Sequence, residues 1–162
     1  MSVFFISDLH LGHVNMALHR GFTSIDDMHN TIITNWNKII SKIDCIYILG
    51  DITMEKSKDY YLLDELKGDK NIVLGNHDMK QHVPELLKYV QSVAGMINYK
   101  KEFILTHCPV YPSELEFRFK YNIHGHTHEN SISDKRYINV TCEQLNYTPI
   151  EFEDLKNKYC KL

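Results

Sequence analysis

Three short apolar segments in the first half of the chain alternate with three segments whose apolar residues recur at helical spacing. The apolar segments cover residues 2–7, 45–51 and 71–78, and the helical ones cover 24–43, 58–68 and 83–90. In the first predicted helix Ser24 can cap the N-terminus, and Asp26 and Asp27 suit the first turn. Strands that alternate with amphipathic helices predict an α/β fold.

The second half of the chain is predicted to be mainly strand. Residues 95–107 indicate two strands or a hairpin around Lys100 and Lys101. Further strands are predicted over 121–126 and 136–142, and a last helix over 151–160. These elements favour an α/β sandwich, with one mixed sheet or two stacked sheets flanked by helices. Because no linker or repeat interrupts the chain, we expect a single domain over residues 1–162.

Composition excludes several classes of protein. The chain is 43% hydrophobic and 24% charged, which is ordinary for a soluble domain, and its net charge of −3 does not favour polymeric nucleic acid as a partner. No apolar stretch approaches the ~20 residues of a membrane span, and the N-terminus lacks the basic start of a signal peptide. The four cysteines are scattered, which predicts reduced thiols in a cytoplasmic protein. No obligate protein partner is evident.

Histidine is unusually frequent, with ten residues in the chain, and three of them lie within NIHGHTHEN, residues 122–130. Polar residues that suit metal ions also follow each apolar segment. Ligands of α/β sheets bind beyond the carboxyl ends of the strands, so these residues are predicted to meet in one crevice. The candidate ligands are Asp8, His10, Asp51, Asn76, His107, His126 and His128.

Oxygen and nitrogen donors without thiolate suit Zn, Mn, Fe or Co. A structural zinc site closes at four ligands, so seven donors predict two ions that share a carboxylate. Such a pair, ~3.5–4 Å apart, can clamp the attacking and leaving oxygens of a displacement at phosphorus. Gly50, Gly75 and Gly125 each precede a candidate ligand, where glycine permits a positive φ and a sharp turn toward a ligand.

The order D-x-H, GD, GNHD, H and GHxH over residues 8–128 resembles the calcineurin-like metallophosphoesterase family. The resemblance implies an α/β fold of two stacked mixed sheets flanked by helices. It implies two divalent transition-metal ions, with Mn favoured over Fe, Zn or Co. One ion would be held by Asp8, His10, Asp51 and His128, and the other by Asp51, Asn76, His107 and His126. Asp51 would bridge the ions, and His77 would act at the phosphoryl group without binding metal.

The implied reaction is hydrolysis of a phosphoester by in-line attack of a metal-bound hydroxide. The Asp-Arg-Gly block of the protein phosphatases is absent, because Met54 and Glu55 occupy those places. The chain also lacks room for a capping insertion, which favours a small phosphodiester or nucleotide-like substrate. The alternatives are a phosphomonoesterase, a dinucleotide pyrophosphatase, or a scaffold of the same fold without turnover. The segments SDLHLGHVNM and NWNKII are most similar to small bacterial and phage members of the family.

Other polar residues lie near these blocks. His13, Asn15 and Arg20 are predicted to contact substrate, with Arg20 able to bind a phosphate through two N–H groups. Cys108 directly follows His107, and we expect it to be a passive neighbour because thiolate fits poorly among hard donors. A structural role is expected for His124.

Overall fold

Two β-sheets form the centre of the computed structural model, which describes residues 1–54, 56 and 59–160. The first sheet contains β1 (Val3–Ile6), β2 (Cys45–Ile48), β3 (Asp69–Val73), β4 (Ser92–Ala94) and β9 (Ile150–Glu151). The second contains β5 (Ile97–Tyr99), β6 (Phe103–Leu105), β7 (Tyr121–His124) and β8 (Tyr137–Asn139). The choice between one sheet and two, which the strand pattern left open, is therefore resolved as two.

Both sheets are mixed. In the first, the strand order is β4-β3-β2-β1-β9, and only β9 runs antiparallel to its neighbour. In the second, the order is β5-β6-β7-β8, and only β5 runs antiparallel. A parallel bridge between Ser7 and Thr141 joins the chain beyond β1 to the chain beyond β8. The parallel strands of both sheets therefore end at the same side of the molecule, as the pattern of polar residues at strand ends predicted.

Alternation along β1 shows how the layers pack. Phe4 and Ile6 belong to the apolar cluster that contains Trp36 of the helix Ile25–Ile39, whereas Phe5 belongs to the cluster between the two sheets. This is the period of two that a strand buried on both faces requires. The ring of Phe5 stacks on Tyr47 with centroids 5.6 Å apart. The two sheets thus share one apolar interior, and helices cover the outer face of the first sheet.

The helices are α1 (Val14–His19), α2 (Ile25–Ile39), α3 (Val83–Leu86), α4 (Glu114–Phe117) and α5 (Phe152–Tyr159), with 3-10 turns at Asp59–Glu65 and Lys80–His82. Ser24 caps α2 as predicted, because its Oγ accepts a hydrogen bond from Asp27 N at 3.1 Å. The predicted end at residue 43 was wrong, since Ile40 is extended and Ser41 enters a turn bound to Asp44. None of the helices in the described residues has both the length and the apolar composition to cross a membrane.

Short elements account for the other differences from the sequence prediction. The helix predicted over 58–68 is a 3-10 helix at Asp59–Glu65, and residue 58 lies outside the described residues. The helix predicted over 83–90 ends at Leu86. The hairpin around Lys100 and Lys101 is confirmed, and both residues adopt a positive φ. Four elements were not predicted from the sequence, namely α1, α4, β4 and β9, because their two to six residues are too few for a periodic signal.

Asp44 links the end of α2 to the start of the first sheet. Its carboxylate accepts hydrogen bonds from Ser41 Oγ at 2.6 Å, Ser2 N at 2.7 Å and Ser41 N at 2.9 Å. The bonds from Ser41 and Ser2 lower the pKa of Asp44 to about 2, from a usual value of 3.8. The stability this pKa shift provides is therefore present above pH 3.8 and is lost as the pH falls through about 2.

We predict that Asp44→Asn destabilises the protein near neutral pH and costs much less near pH 2, because wild-type Asp44 is then protonated. Urea unfolding at pH 6, 4 and 2 measures the difference between the two proteins. Asp64→Asn is the matched control, since Asp64 is exposed. A wild-type to Asp44→Asn difference that stays constant over this pH range would contradict the prediction.

Candidate metal centre

All seven candidate ligands follow the carboxyl ends of parallel strands. Two follow β1, one follows β2, one follows β3, one follows β6 and two follow β7; in that order they are Asp8, His10, Asp51, Asn76, His107, His126 and His128. Asp8 N donates to Gly50 O at 3.0 Å, and Gly125 N donates to His107 O at 2.9 Å. These backbone bonds hold neighbouring loops together within each sheet. The structure therefore brings the predicted residues to one side of the molecule.

The backbone of these loops is strained at the candidate ligands themselves. Five of the seven have a positive φ, namely Asp8 (59°), His10 (49°), Asp51 (53°), His126 (69°) and His128 (48°). A residue with a Cβ costs on the order of 1–3 kcal/mol in such a conformation, and these outliers cluster at functional sites. The strain turns successive side chains of the D-x-H and H-x-H blocks toward the same space.

Of the three glycines that precede candidate ligands, two are needed because a neighbouring side chain leaves no room for a Cβ, and not because of their backbone conformation. Gly50 has a φ of +89°, as expected. Gly75 and Gly125 do not adopt a positive φ, which corrects that part of the prediction. A Cβ on Gly75 would overlap the carboxylate of Asp51, and a Cβ on Gly125 would overlap the carboxylate of Asp8. Both positions need glycine because a loop passes directly against a buried carboxylate.

Asp8 is fully buried and ionised. Its Oδ2 lies 2.5 Å from Ser7 Oγ and accepts a hydrogen bond from His126 N at 3.0 Å. Burial alone would raise its pKa, but contacts with His10, His107 and Ser7 lower the pKa to about 2. Its Oδ1 lies 3.8 Å from His10 Nε2 and 3.7 Å from His128 Nε2. Asp8, His10 and His128 therefore form one group that could hold a cation.

Asp51 stands between the two halves of the cluster. Its Oδ1 accepts a hydrogen bond from His77 N at 2.9 Å. Its Oδ2 lies 3.3 Å from His107 Nε2, 3.8 Å from His10 Nε2 and 3.9 Å from His77 Nε2. Burial acts to raise the pKa of Asp51, and the contact with His107 outweighs it, so the pKa is lowered. The carboxylate is thus negative and within reach of imidazoles on both sides.

His107 is oriented by a backbone carbonyl. Its Nδ1 lies 2.8 Å from Leu49 O, which can only accept, so Nδ1 carries the proton of the neutral ring. Nε2 then faces Asn76 Oδ1 at 2.9 Å. The His107 and His126 rings are 5.1 Å apart. A ring nitrogen of each and Cys108 Sγ lie within 4.8 Å of one another, which forms a second group able to hold a cation.

The donor set fits divalent metal ions. Among the described residues, Asp8 Oδ1 and both ring nitrogens of His10 are buried without a hydrogen-bond partner. Buried polar atoms are almost always paired, and unpaired ones cost about 1–3 kcal/mol each. Two buried carboxylates that face imidazole nitrogens supply the charge and the donor types that such ions require. The cluster is therefore a candidate site for divalent metal.

Three of the four remaining predicted residues lie at or near the edge of the cluster. The His77 side chain is 34% exposed and lies at the rim, beside Asp51 and 5.5 Å from the His10 ring. His13 is half-buried, caps α1 by accepting a hydrogen bond from Met16 N, and lies 5.6 Å from the His10 ring. Asn15 is exposed on α1. Contact of His13 and of Asn15 with substrate stays a prediction.

The predicted phosphate contact of Arg20 is not supported by its surroundings. Its side chain is only 1% exposed. The guanidinium donates to Glu143 Oε1 at 2.8 Å, Asp8 O at 2.6 Å and Leu9 O at 3.3 Å. Arg20 therefore supports the loop that carries Asp8 and does not present its N–H groups to a substrate.

Two acidic residues that sequence reasoning missed hold the ligand loops. Asp78 accepts hydrogen bonds from Asp51 N and Gly75 N at 2.8 Å and from Ile52 N at 3.1 Å. It belongs to the GNHD block, so the block itself was the signal. Glu143 accepts from His128 Nδ1 at 2.9 Å, which leaves His128 Nε2 free to bind an ion. No motif in the sequence singles out Glu143.

Comparison with known proteins agrees with this geometry. The family model for the calcineurin-like phosphoesterase superfamily domain matches residues 1–141. The chain therefore belongs to the calcineurin-like phosphoesterase superfamily. An uncharacterised protein of Methanocaldococcus jannaschii is 31% identical over 93% of this chain and 87% of its own length. The Gene 66 protein of Mycobacterium phage L5 is 26% identical over 81% of this chain and 79% of its own length.

Solved structures share the fold. A protein of unknown function from Aquifex aeolicus superposes with a TM-score of 0.78 at 28% identity, covering 97% of this chain and 98% of that one. An archaeal phosphodiesterase superposes with a TM-score of 0.54 at 17% identity, covering 94% of this chain and 99% of that one. At that identity the second likeness establishes the fold alone.

We predict that Glu143→Gln lowers the affinity for divalent ions by about tenfold or more, because the neutral amide orients His128 less firmly. Calorimetric titration with Mn²⁺ and with Zn²⁺ measures the change. Glu129→Gln, at an exposed residue beside His128, is the matched control and should bind as the wild type does. Equal affinities for wild type and Glu143→Gln would show that Glu143 does not support the site.

Proposed function

We propose that the protein is a phosphohydrolase that uses two divalent transition-metal ions to cleave a small phosphodiester or nucleotide-like substrate. The observation that carries the proposal is the position of Asp51, whose Oδ2 lies within 4 Å of imidazole nitrogens from three different loops. One of these imidazoles, His10, groups with Asp8 and His128. Another, His107, groups with Cys108 and His126, and also with Asp8 and Asp51. A shared carboxylate between two donor groups is what a dinuclear site requires.

The ligands follow from these groups. One ion would be held by Asp8, His10, Asp51 and His128, and the other by Asp51, Asn76, His107 and His126. When bound, the ions would supply a water of lowered pKa as nucleophile and Lewis-acid stabilisation of the phosphoryl oxygens. Mn is the favoured ion for the centre as a whole, with Fe, Zn or Co as the alternatives. Hydrolysis would be direct, with no covalent bond between enzyme and substrate.

His77 is the residue proposed to act on the phosphoryl group. Its backbone N–H is held by Asp51 Oδ1, so the residue is positioned by the same carboxylate that would bridge the ions. Its side chain is partly exposed beside Asp51, where a substrate could reach it. An imidazolium there can stabilise negative charge on a phosphoryl oxygen or give a proton to the leaving oxygen.

The proposed substrate class rests on the small number of cationic side chains beside the candidate metal ligands. The Asp-Arg-Gly block of protein phosphatases has no counterpart in the sequence, and Arg20, the nearest arginine to the first block, is engaged by Glu143. A phosphodiester carries one negative charge fewer than a phosphomonoester, so it needs fewer cationic contacts beyond the ions. The fold is shared with an archaeal phosphodiesterase. We further propose that the protein acts in the cytoplasm on small molecules, without an obligate protein partner.

Hydrolysis of bis-p-nitrophenyl phosphate and of p-nitrophenyl phosphate, each with added Mn²⁺, tests the reaction. We expect a higher kcat/KM for the diester. Preference for the monoester would support the phosphomonoesterase alternative instead. Retained metal with no hydrolysis of either compound or of a dinucleotide would support a scaffold that does not turn over.

We predict that Asp51→Asn loses most bound metal together with activity, because the shared carboxylate loses its charge. Metal content per chain after gel filtration, measured by elemental analysis, and the diesterase rate provide the two readouts. Asp64→Asn should keep both. Full metal occupancy in Asp51→Asn would rule out a bridging role.

His77→Ala is expected to keep the metal and to lose rate by about 10²–10⁴-fold on substrates with poor leaving groups. The loss should be smaller for p-nitrophenolate, which needs no proton to leave. His19→Ala, at an exposed residue on α1, is the control. Undiminished turnover of an alkyl phosphodiester by His77→Ala would remove His77 from the mechanism.

A further inference from the structure

The chain beyond β6 brings a thiol into the metal cluster. Cys108 Sγ and one ring nitrogen each of His107 and His126 lie within 4.8 Å of one another. Ligand atoms around one tetrahedral ion lie about 3.3–3.8 Å apart, because metal–ligand bonds are about 2.0–2.3 Å long. Side-chain movements of about 1 Å on binding would therefore bring these three atoms onto one ion. The expectation that Cys108 is a passive neighbour does not account for this placement.

The backbone on both sides of Cys108 is held in place. Thr106 Oγ1 donates to Cys108 O at 2.7 Å, and Asn122 Nδ2 donates to Thr106 Oγ1 at 2.9 Å. Val110 N donates to Asn122 Oδ1 at 2.9 Å. Asn122 is fully buried in β7, so its amide ties the loop to the second sheet before and after the cysteine. The backbone that carries the thiol is therefore held in place by the fold.

The other three thiols lie elsewhere. Cys45 Sγ accepts a hydrogen bond from Asn71 Nδ2 at 3.3 Å, and Cys142 is fully buried in the apolar cluster beneath α2. Cys160 packs at the end of α5. In the part of the chain that the structure describes, Cys108 alone shares a possible metal-binding group with histidines. It is also exposed, so an arriving ion can reach it.

We propose that Cys108 supplies a thiolate to the ion held by His107 and His126, and that this sulfur and nitrogen donor set selects Zn²⁺, Fe²⁺ or Co²⁺ over Mn²⁺ at that position. The inference rests on the proposed dinuclear centre and adds a ligand to one of its two ions. Thiolate favours thiophilic ions, whereas carboxylate and imidazole donors accept Mn²⁺ readily. On binding, the S–H bond breaks, the sulfur keeps the electron pair that it gives to the ion, and the proton passes to solvent.

The consequence is a centre whose two positions differ in metal preference. The group of Asp8, His10 and His128 offers one oxygen and two nitrogens. The group of His107, Cys108 and His126 offers two nitrogens and a sulfur. A cell that supplies both kinds of ion would therefore load a mixed pair, with Mn²⁺ confined to the first group.

Anaerobic titration of the full chain with Co²⁺ tests the inference, because thiolate ligation adds a near-ultraviolet charge-transfer band to the visible bands of protein-bound Co²⁺. The wild type should show both features. Cys108→Ser should keep the visible bands and lose the charge-transfer band, and Cys160→Ser, the matched control, should keep both. Visible bands without a charge-transfer band in the wild type would overturn the thiolate ligand alone. A chain that takes up no Co²⁺ would overturn the dinuclear centre and the thiolate together.

Competition between Zn²⁺ and Mn²⁺ gives a second readout. Cys108→Ser should reduce the preference for Zn²⁺ over Mn²⁺ by about tenfold or more at one of the two bound equivalents. Loss of a group that supports a metal site typically changes metal affinity by about this factor. Cys108→Ala should behave in the same way, and circular dichroism of both variants verifies folding. An unchanged preference in both folded variants would contradict the proposed selectivity.

Discussion

Two buried, ionised carboxylates hold this site together. Asp8 and Asp51 are at most 1% exposed, and each accepts a backbone N–H from a loop that carries a different part of the site. Asp8 binds His126 N, which joins the first sheet to the second, and Asp51 binds His77 N, which joins β2 to β3. The groups that would bind metal are therefore the same groups that fix the relative positions of the loops. The fold and the site form one hydrogen-bonded network.

Strain in this network is concentrated where the chemistry is proposed. Five candidate ligands occupy the left-handed region, each at a cost on the order of 1 kcal/mol or more. The apolar layers beneath them hold that conformation in place, since Phe5 and Leu49 belong to the cluster between the sheets, and Ile6 and Trp36 to the cluster under α2. Rigid strands and short strained loops together set side-chain directions more accurately than flexible loops do.

A layer of supporting side chains orients the ligands. Glu143 binds both His128 and Arg20, and although burial acts to raise its pKa, these contacts hold the pKa at about 2. Asp78 binds the backbone of the loops that follow β2 and β3. Asn122 does the same for the loop that presents Cys108. Glu143 lies 15 residues from His128, and Asp78 lies 27 residues from Asp51, so these contacts connect separate segments of the chain.

Local pattern in the sequence was sufficient for the parallel strands, the cap of α2, the hairpin at Lys100 and the placement of the seven candidate donors beyond strand ends, because periodicity and strand-end residues are properties of short segments. Tertiary structure alone decided that Arg20 is buried, that Glu143 reaches His128, and that Cys108 lies near His126. Glu143 and Arg20 are separated by 123 residues, so no local signal connects them. A contact of that kind exists only once the two sheets have packed, since the packing brings their loop ends to the same side of the molecule.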